Sequence, residues 1–170
     1  MFSFLVLAVL CTSCMTAPLP QYSFSPAVGN GGGQAFSTEN ENGPITGIRL
    51  WENTNSYITG LQVRNGFVWG EMVGRQINSE MELILNEGES IRQISGKYQS
   101  GSYIYQLVFG TSSGRSLIVG QPIQTSFNFY PSHEGQELVI ISGTFNSAGL
   151  TSIAAHWAIP QAQNNSTNYD

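Results

Sequence analysis

Aspartate is almost absent from this chain; the only one is Asp170, the last residue. Cysteine is confined to Cys11 and Cys14, and Lys plus Arg number 6 against 11 Asp plus Glu, for a net charge of −5 and a pI near 4.9. Each scarcity closes off a chemistry. So few cations argue against nucleic acid or an anionic membrane surface as partner, because those affinities come mainly from Lys and Arg neutralising phosphates. With both cysteines near the amino terminus, the rest of the chain has no disulfide and no thiol nucleophile, so its stability has to come from core packing. Nucleophilic catalysis needs a base with an orienting partner beside Ser, Thr or Cys. Only two histidines are present: His133 in the turn-like "PSHEGQ", and His156 beside Trp157 in an apolar strand. Close carboxylate pairs include Glu80 with Glu82 and Glu87 with Glu89. The latter flank Gly88 and read as an exposed hairpin turn, and scattered Glu do not make a metal site or a glycan-cleaving pair. The chain therefore reads as a non-enzyme without metal or cofactor.

Long hydrophobic runs are missing too. The longest, Phe2 to Leu10, is too short to span a bilayer and is followed by small residues and then Pro18 and Pro20. Residues 1–17 read as a cleaved secretory signal, which removes both cysteines and implies secretion to the extracellular space or a granule lumen without membrane insertion. Residues 18–159 are expected to form one domain, and residues 160–170, "PQAQNNSTNYD", a polar flexible tail. That tail carries overlapping glycosylation sequons at Asn164 and Asn165.

What is present is β-sequence. No segment of ten residues shows a helical period, while β-branched and aromatic residues alternate in short runs bounded by Gly, Asn and Ser. The pattern also repeats. Units begin at Gly43, Gly88 and Gly135; "ISG" at 94–96 recurs at 141–143, and "YITGLQV" from Tyr57 matches "YIYQLVF" from Tyr103. Such a period fits three sheets around a pseudo-threefold axis that share one core. The third unit runs out at Pro160, so a strand from the N-terminal segment has to complete its sheet.

Before the first unit stands "GNGGGQAFS" at 29–37. A phosphate loop would need Lys-Ser or Lys-Thr and a helix after its last Gly, and Gln34 with an apparent strand follows instead. Two readings stay open: a tight turn exploiting positive φ, or bare backbone that lets amides approach a ligand oxygen.

Taken in order, "GNGGGQAFS", "GPITGIRLW", "ITGLQVRNG", "GESIRQISGKY", "LVFGTSSGR" and "SIAAHW" resemble the jacalin-related lectins over residues 22–159, and within them the animal zymogen granule protein 16 group. The resemblance implies a β-prism of three four-stranded Greek-key sheets closed by the N-terminal strand, and a secreted carbohydrate-binding protein whose partners are mannose-type or other neutral glycans. It also implies a sugar pocket with Gly31, Gly32 and Gly33 on one wall, Ser147, Ala148, Gly149, Leu150 and Thr151 on the other, and the loop of Ser112, Ser113, Gly114 and Arg115 flanking it. Tyr22, Phe36 and Tyr98 are candidate stacking aromatics. The family pattern Gly-x-x-x-Asp before the last strand places Ser147 at the Gly position and Thr151 at the Asp position, so the sugar-binding carboxylate is replaced. With Gln34, Ser113 and an acidic balance, heparin-like polysaccharide is not expected as a partner. The alternative is a non-catalytic secretory-granule scaffold or cargo protein that has lost sugar binding.

Overall fold

The computed structural model of the chain describes residues 22–160. The signal segment, both cysteines, the sequons at Asn164 and Asn165, and Asp170 lie outside the described residues. The N-terminal segment supplies β1 (Tyr22–Gly29) and β2 (Gln34–Ser37), and the first repeat β3 (Ile45–Glu52), β4 (Ile58–Asn65), β5 (Val68–Trp69), β6 (Val73–Gly74) and β7 (Met81–Ile84). The second supplies β8 (Ile91–Tyr98), β9 (Ile104–Thr111), β10 (Ser116–Gly120) and β11 (Thr125–Phe129), and the third only β12 (Glu137–Phe145) and β13 (Leu150–Ala158). They form three antiparallel sheets, ordered β1-β13-β12-β2, β10-β9-β8-β11 and β5-β4-β3-β7, with β6 also on β4. The fold is the expected all-β prism. The N-terminal segment completes the third repeat's sheet with two strands, β1 against β13 and β2 against β12, where one was anticipated.

The repeat is visible in the packing. Ile48, Ile94 and Ile141 occupy equivalent places in the three central hairpins, as do Ile58, Ile104 and Leu150, and Leu61, Leu107 and Ile153; all nine are 0% exposed. They converge on one core, each contributing roughly 1.5–3 kcal/mol by burial. Register breaks recur as well: Ile45/Gly47, Ile91/Gln93 and Leu138/Ile140 open bulges at one end of the hairpins. Bulges sharpen strand twist, which lets three sheets wrap a common axis.

One further equivalence explains part of the glycine stretch. Gly74, Gly120 and Gly29 all have positive φ, and a Cβ on each would lie 2.3, 2.1 and 2.1 Å from the carbonyl oxygens of Thr59, Tyr105 and Thr151. The next residues, Arg75, Gln121 and Asn30, donate their N–H to those same carbonyls. Gly29 is therefore the third copy of a fold element, whereas Gly31 to Gly33 are an addition to it.

At the opposite end, the turn at Asn86–Glu89 links β7 of one sheet to β8 of the next, so it is an inter-sheet connection and not the exposed hairpin expected for Glu87 and Glu89. The Glu89 carboxylate accepts from both Nε and Nη2 of Arg115, from the Asn86 N–H and from the Ser113 hydroxyl. Chiefly the Arg115 contact, then the Asn86 and Ser113 bonds, hold its carboxyl well below the usual range against a small opposing effect of burial. A depressed carboxyl contributes stability that is complete above the unfolded value, near 4.5, and is lost as pH falls below it. Thermal unfolding midpoints are thus expected to decline below about pH 4.5, and Arg115→Met to flatten that decline. Equal acid slopes for the two proteins would dismiss the pair as its source. Glu82 in turn is held by Arg49 Nε, with Glu80 at 3.8 Å, so these two carboxylates serve an ion pair across sheet β3–β7.

Candidate functional site

The loop at 30–33 and the β12–β13 turn at 146–149 meet at one end of the prism. They meet because β1 pairs with β13 as far as Gly29–Ser152, and β2 pairs with β12 from Phe145–Gln34, so the linking loop has to cross the start of β13. Thr151 Oγ1 donates to the Gly32 carbonyl at 2.5 Å and lies 2.8 Å from Thr144 Oγ1, which also contacts Ser152 Oγ at 2.7 Å. The Gly32 N–H turns back to Asn30 Oδ1 at 2.8 Å. Gly33, at φ +119°, passes so close to β12 that a Cβ would sit 2.2 Å from the Phe145 carbonyl oxygen. Opposite, Asn146 Oδ1 accepts from the N–H groups of Ala148 and Gly149, at 2.8 and 3.2 Å, and this local bonding builds the tight turn.

The structure thus brings Gly31, Gly32 and Gly33 against the Ser147–Thr151 segment, and it divides those residues by role. Gly31 to Gly33 and Ser147 are exposed, Ala148 is half-buried, and Gly149, Leu150 and Thr151 are buried. Gly149 packs beneath the Ile58 carbonyl and the Tyr57 ring, Leu150 belongs to the core, and the Ser147 carbonyl accepts from Arg75 Nη1. Thr151 is 1% exposed, so its hydroxyl is a clasp on the glycine loop and does not face solvent.

Ser113 and Gly114 are elsewhere, which corrects the expectation that their loop flanks the pocket. Tyr103, just before β9, places its hydroxyl 3.5 Å from Asn146 Nδ2. Ser113 and Gly114 follow the other end of β9, an eight-residue strand, so they stand roughly 26 Å away. Consecutive turns of an antiparallel sheet fall at alternate ends; Ser112, Ser113 and Arg115 belong with Ser90 and Glu89. The flank is instead the turn at 99–103 together with Tyr57, whose ring stacks on Tyr103 at 4.2 Å. The matched motifs "YITGLQV" and "YIYQLVF" carried that signal, because equivalent residues of a threefold repeat share an end.

Of the candidate aromatics, Phe36 on β2 packs beside Phe145, and Tyr98 packs on Phe127. Tyr22 is 53% exposed at the far end of β1, bonded to His156 Nδ1. Ser142 Oγ contacts the other nitrogen of His156 at 2.8 Å, and burial pushes this imidazole's pKa down against the opposing charge of Glu39. His133 sits exposed in its turn. Neither histidine is placed at the glycine loop.

The paired loops on a threefold prism can be set against known proteins. The profile of the Jacalin-like lectin domain matches residues 25–156. This chain belongs to the jacalin-like lectin family. Within that family it is 41% identical over 161 residues to zymogen granule membrane protein 16 of Rattus norvegicus, covering 92% of this chain and 94% of the relative. To the Homo sapiens protein of the same name it is 40% identical over 163 residues, covering 94% and 95%. Among solved structures, a prostate-specific WGA16 glycoprotein lectin superposes with a TM-score of 0.72 at 34% identity, covering 82% of this chain and 100% of that one. The mannose-binding lectin from Champedak shares the fold at 20% identity and a TM-score of 0.67, covering 83% of this chain and 99% of that chain. Family and fold together indicate a non-catalytic, carbohydrate-binding jacalin-like domain.

Proposed function

We propose that this jacalin-like chain is a secreted lectin that holds a neutral glycan, of mannose type or similar, between the glycine loop and the β12–β13 turn, using neutral groups where the Gly-x-x-x-Asp pattern would place a carboxylate. The observation that carries this is the clasp from Thr151 Oγ1 to the Gly32 carbonyl, which supports two exposed loops side by side. Exposed backbone at Gly31 to Gly33, Ser147 and the Asn146–Tyr103 pair offer donors and acceptors to sugar hydroxyls. Neutral hydrogen bonds contribute about 1 kcal/mol each, against roughly 1.5–3 for charged ones, and a millimolar site has only about 4 kcal/mol in all. Single hexoses are therefore held weakly. The names of the zymogen granule relatives support a secretory granule as the place of action, which residues 1–17, as a cleaved signal, would open to the chain.

A glycan array of the mature protein is expected to show neutral or mannose-type ligands and no retention on heparin at physiological salt. Thr151→Asp is expected to raise mannose affinity about tenfold in titration calorimetry, since two sugar hydroxyls then meet a charged acceptor. The same change removes the donor to the Gly32 carbonyl, so the loop has to rotate its amides inward. No gain would mean that the loop cannot reopen. The buried, already bonded Thr151 hydroxyl favours one other reading, a granule scaffold or cargo protein that no longer binds sugar; a blank array at high protein density would select it.

A further inference from the structure

A groove of about 720 Å³ runs between β2 and β5, from Gln34 and Phe145 at the glycine-loop end towards Asn40 and Asn42. It is the size of a small-molecule site, roughly 300–1,000 Å³. The seam between the sheets of β7 and β10 is closed by direct contact of those strands, whereas the groove parts β2 from β5. Gln34 follows Gly33 directly and Phe145 precedes Asn146, so the groove begins one residue along the chain from each wall of the candidate glycan site.

Its lining is amphipathic. Phe36, Phe145 and Val63 supply apolar surface, and Glu39 on the β2 side and Glu71 on the β5 side supply one carboxylate per wall. Both glutamates are exposed, and neither carboxylate takes a hydrogen bond or ion pair from a described residue. Asn65, also in the lining, is 3% exposed; its Nδ2 donates to the Gly43 carbonyl, while its Oδ1 has no donor among the described residues. Acceptors without donors, on an apolar bed, suit a ligand that presents hydroxyl groups along an otherwise apolar ring face.

We infer that the preferred ligand is an extended neutral oligosaccharide, anchored at the glycine loop and continuing along the β2–β5 groove, with Glu39 and Glu71 accepting from its hydroxyls. This rests on the glycan function proposed above. The groove supplies, one or more sugar units away, the charged acceptors that position 151 lacks.

Calorimetry of neutral tetra- to hexasaccharides against their component monosaccharides tests it, with Glu39→Gln, Glu71→Gln and Gly33→Val proteins whose folding is checked by melting. The oligosaccharides are expected to bind at least about tenfold more tightly than the monosaccharides. Each Glu→Gln change should weaken oligosaccharide binding about fivefold and leave monosaccharide binding unchanged, since it replaces a charged acceptor by a neutral one. Oligosaccharides no tighter than monosaccharides, or groove variants without effect while Gly33→Val abolishes binding, would overturn the groove and spare the glycine loop. Binding untouched by Gly33→Val would remove the loop as anchor, and the inference with it. Binding that collapses as salt is raised would overturn the neutral ligand in favour of a cationic one.

Discussion

Trp157→Ala is expected to lower the unfolding free energy by about 4 kcal/mol, the range for deleting a large buried aromatic, as read from urea denaturation. Trp157 is 0% exposed in the middle of its sheet, opposite Ser23 of β1 and Leu138 of β12. Its Nε1 donates to Ser25 Oγ at 2.9 Å, so the ring both fills the core and ties β1 to β13. A domain without disulfides relies heavily on this kind of contact to resist unfolding, and stabilities of about 5–15 kcal/mol leave little margin. Because β1 delivers the glycine loop to Thr151, glycan affinity should fall along with stability. Ser25→Ala, which leaves the ring in place and orphans only its N–H, should cost less, about 1–3 kcal/mol. A Trp157→Ala loss below about 1 kcal/mol would show that the surrounding strands can close over the gap.

Gly33→Val should abolish binding at the glycine loop, reducing affinity more than about thirtyfold by calorimetry, with a stability loss of about 2–3 kcal/mol. The backbone at φ +119° is unfavourable for any L side chain, and worst for a β-branched one. The added Cβ would stand 2.2 Å from the Phe145 carbonyl, so β2 has to leave β12 at that point and carry the loop away from Asn146. Gly31 provides the contrast. It also has positive φ, but nothing lies within 4 Å of a Cβ there, so Gly31→Ala should cost only about 1 kcal/mol and leave most binding intact. Equal effects at the two positions would mean that backbone freedom, and not the close approach to β12, gives this loop its function.

The two substitutions separate glycines that look alike in "VGNGGGQ". Gly29 repeats Gly74 and Gly120 as a fold element, Gly33 is fitted against a neighbouring strand, and Gly31 stands open. Composition cannot tell them apart, because the difference lies in what each Cα faces across strands more than a hundred residues away. The misplaced Ser113–Gly114 loop failed for a related reason. A turn's residues say that the chain reverses there, but which end of the prism it reaches depends on counting strands correctly. The repeat contained that count, since Tyr57 and Tyr103 are equivalent and both lie beside the β12–β13 turn.

The sequence by itself determined the all-β class, the threefold repeat and the need for an N-terminal strand to complete the third sheet. Each of these follows from local alternation or from comparing one stretch of the chain with another, both of which are written in one dimension. Only the tertiary structure decided that the Thr151 hydroxyl clasps the Gly32 carbonyl, that Glu89 belongs to Arg115, and that a groove with free carboxylates opens between β2 and β5. These depend on the register of β1 and β2 against the last hairpin and on how far neighbouring sheets stand apart. That spacing is set by the shared core of side chains from all three repeats, and no single segment encodes it.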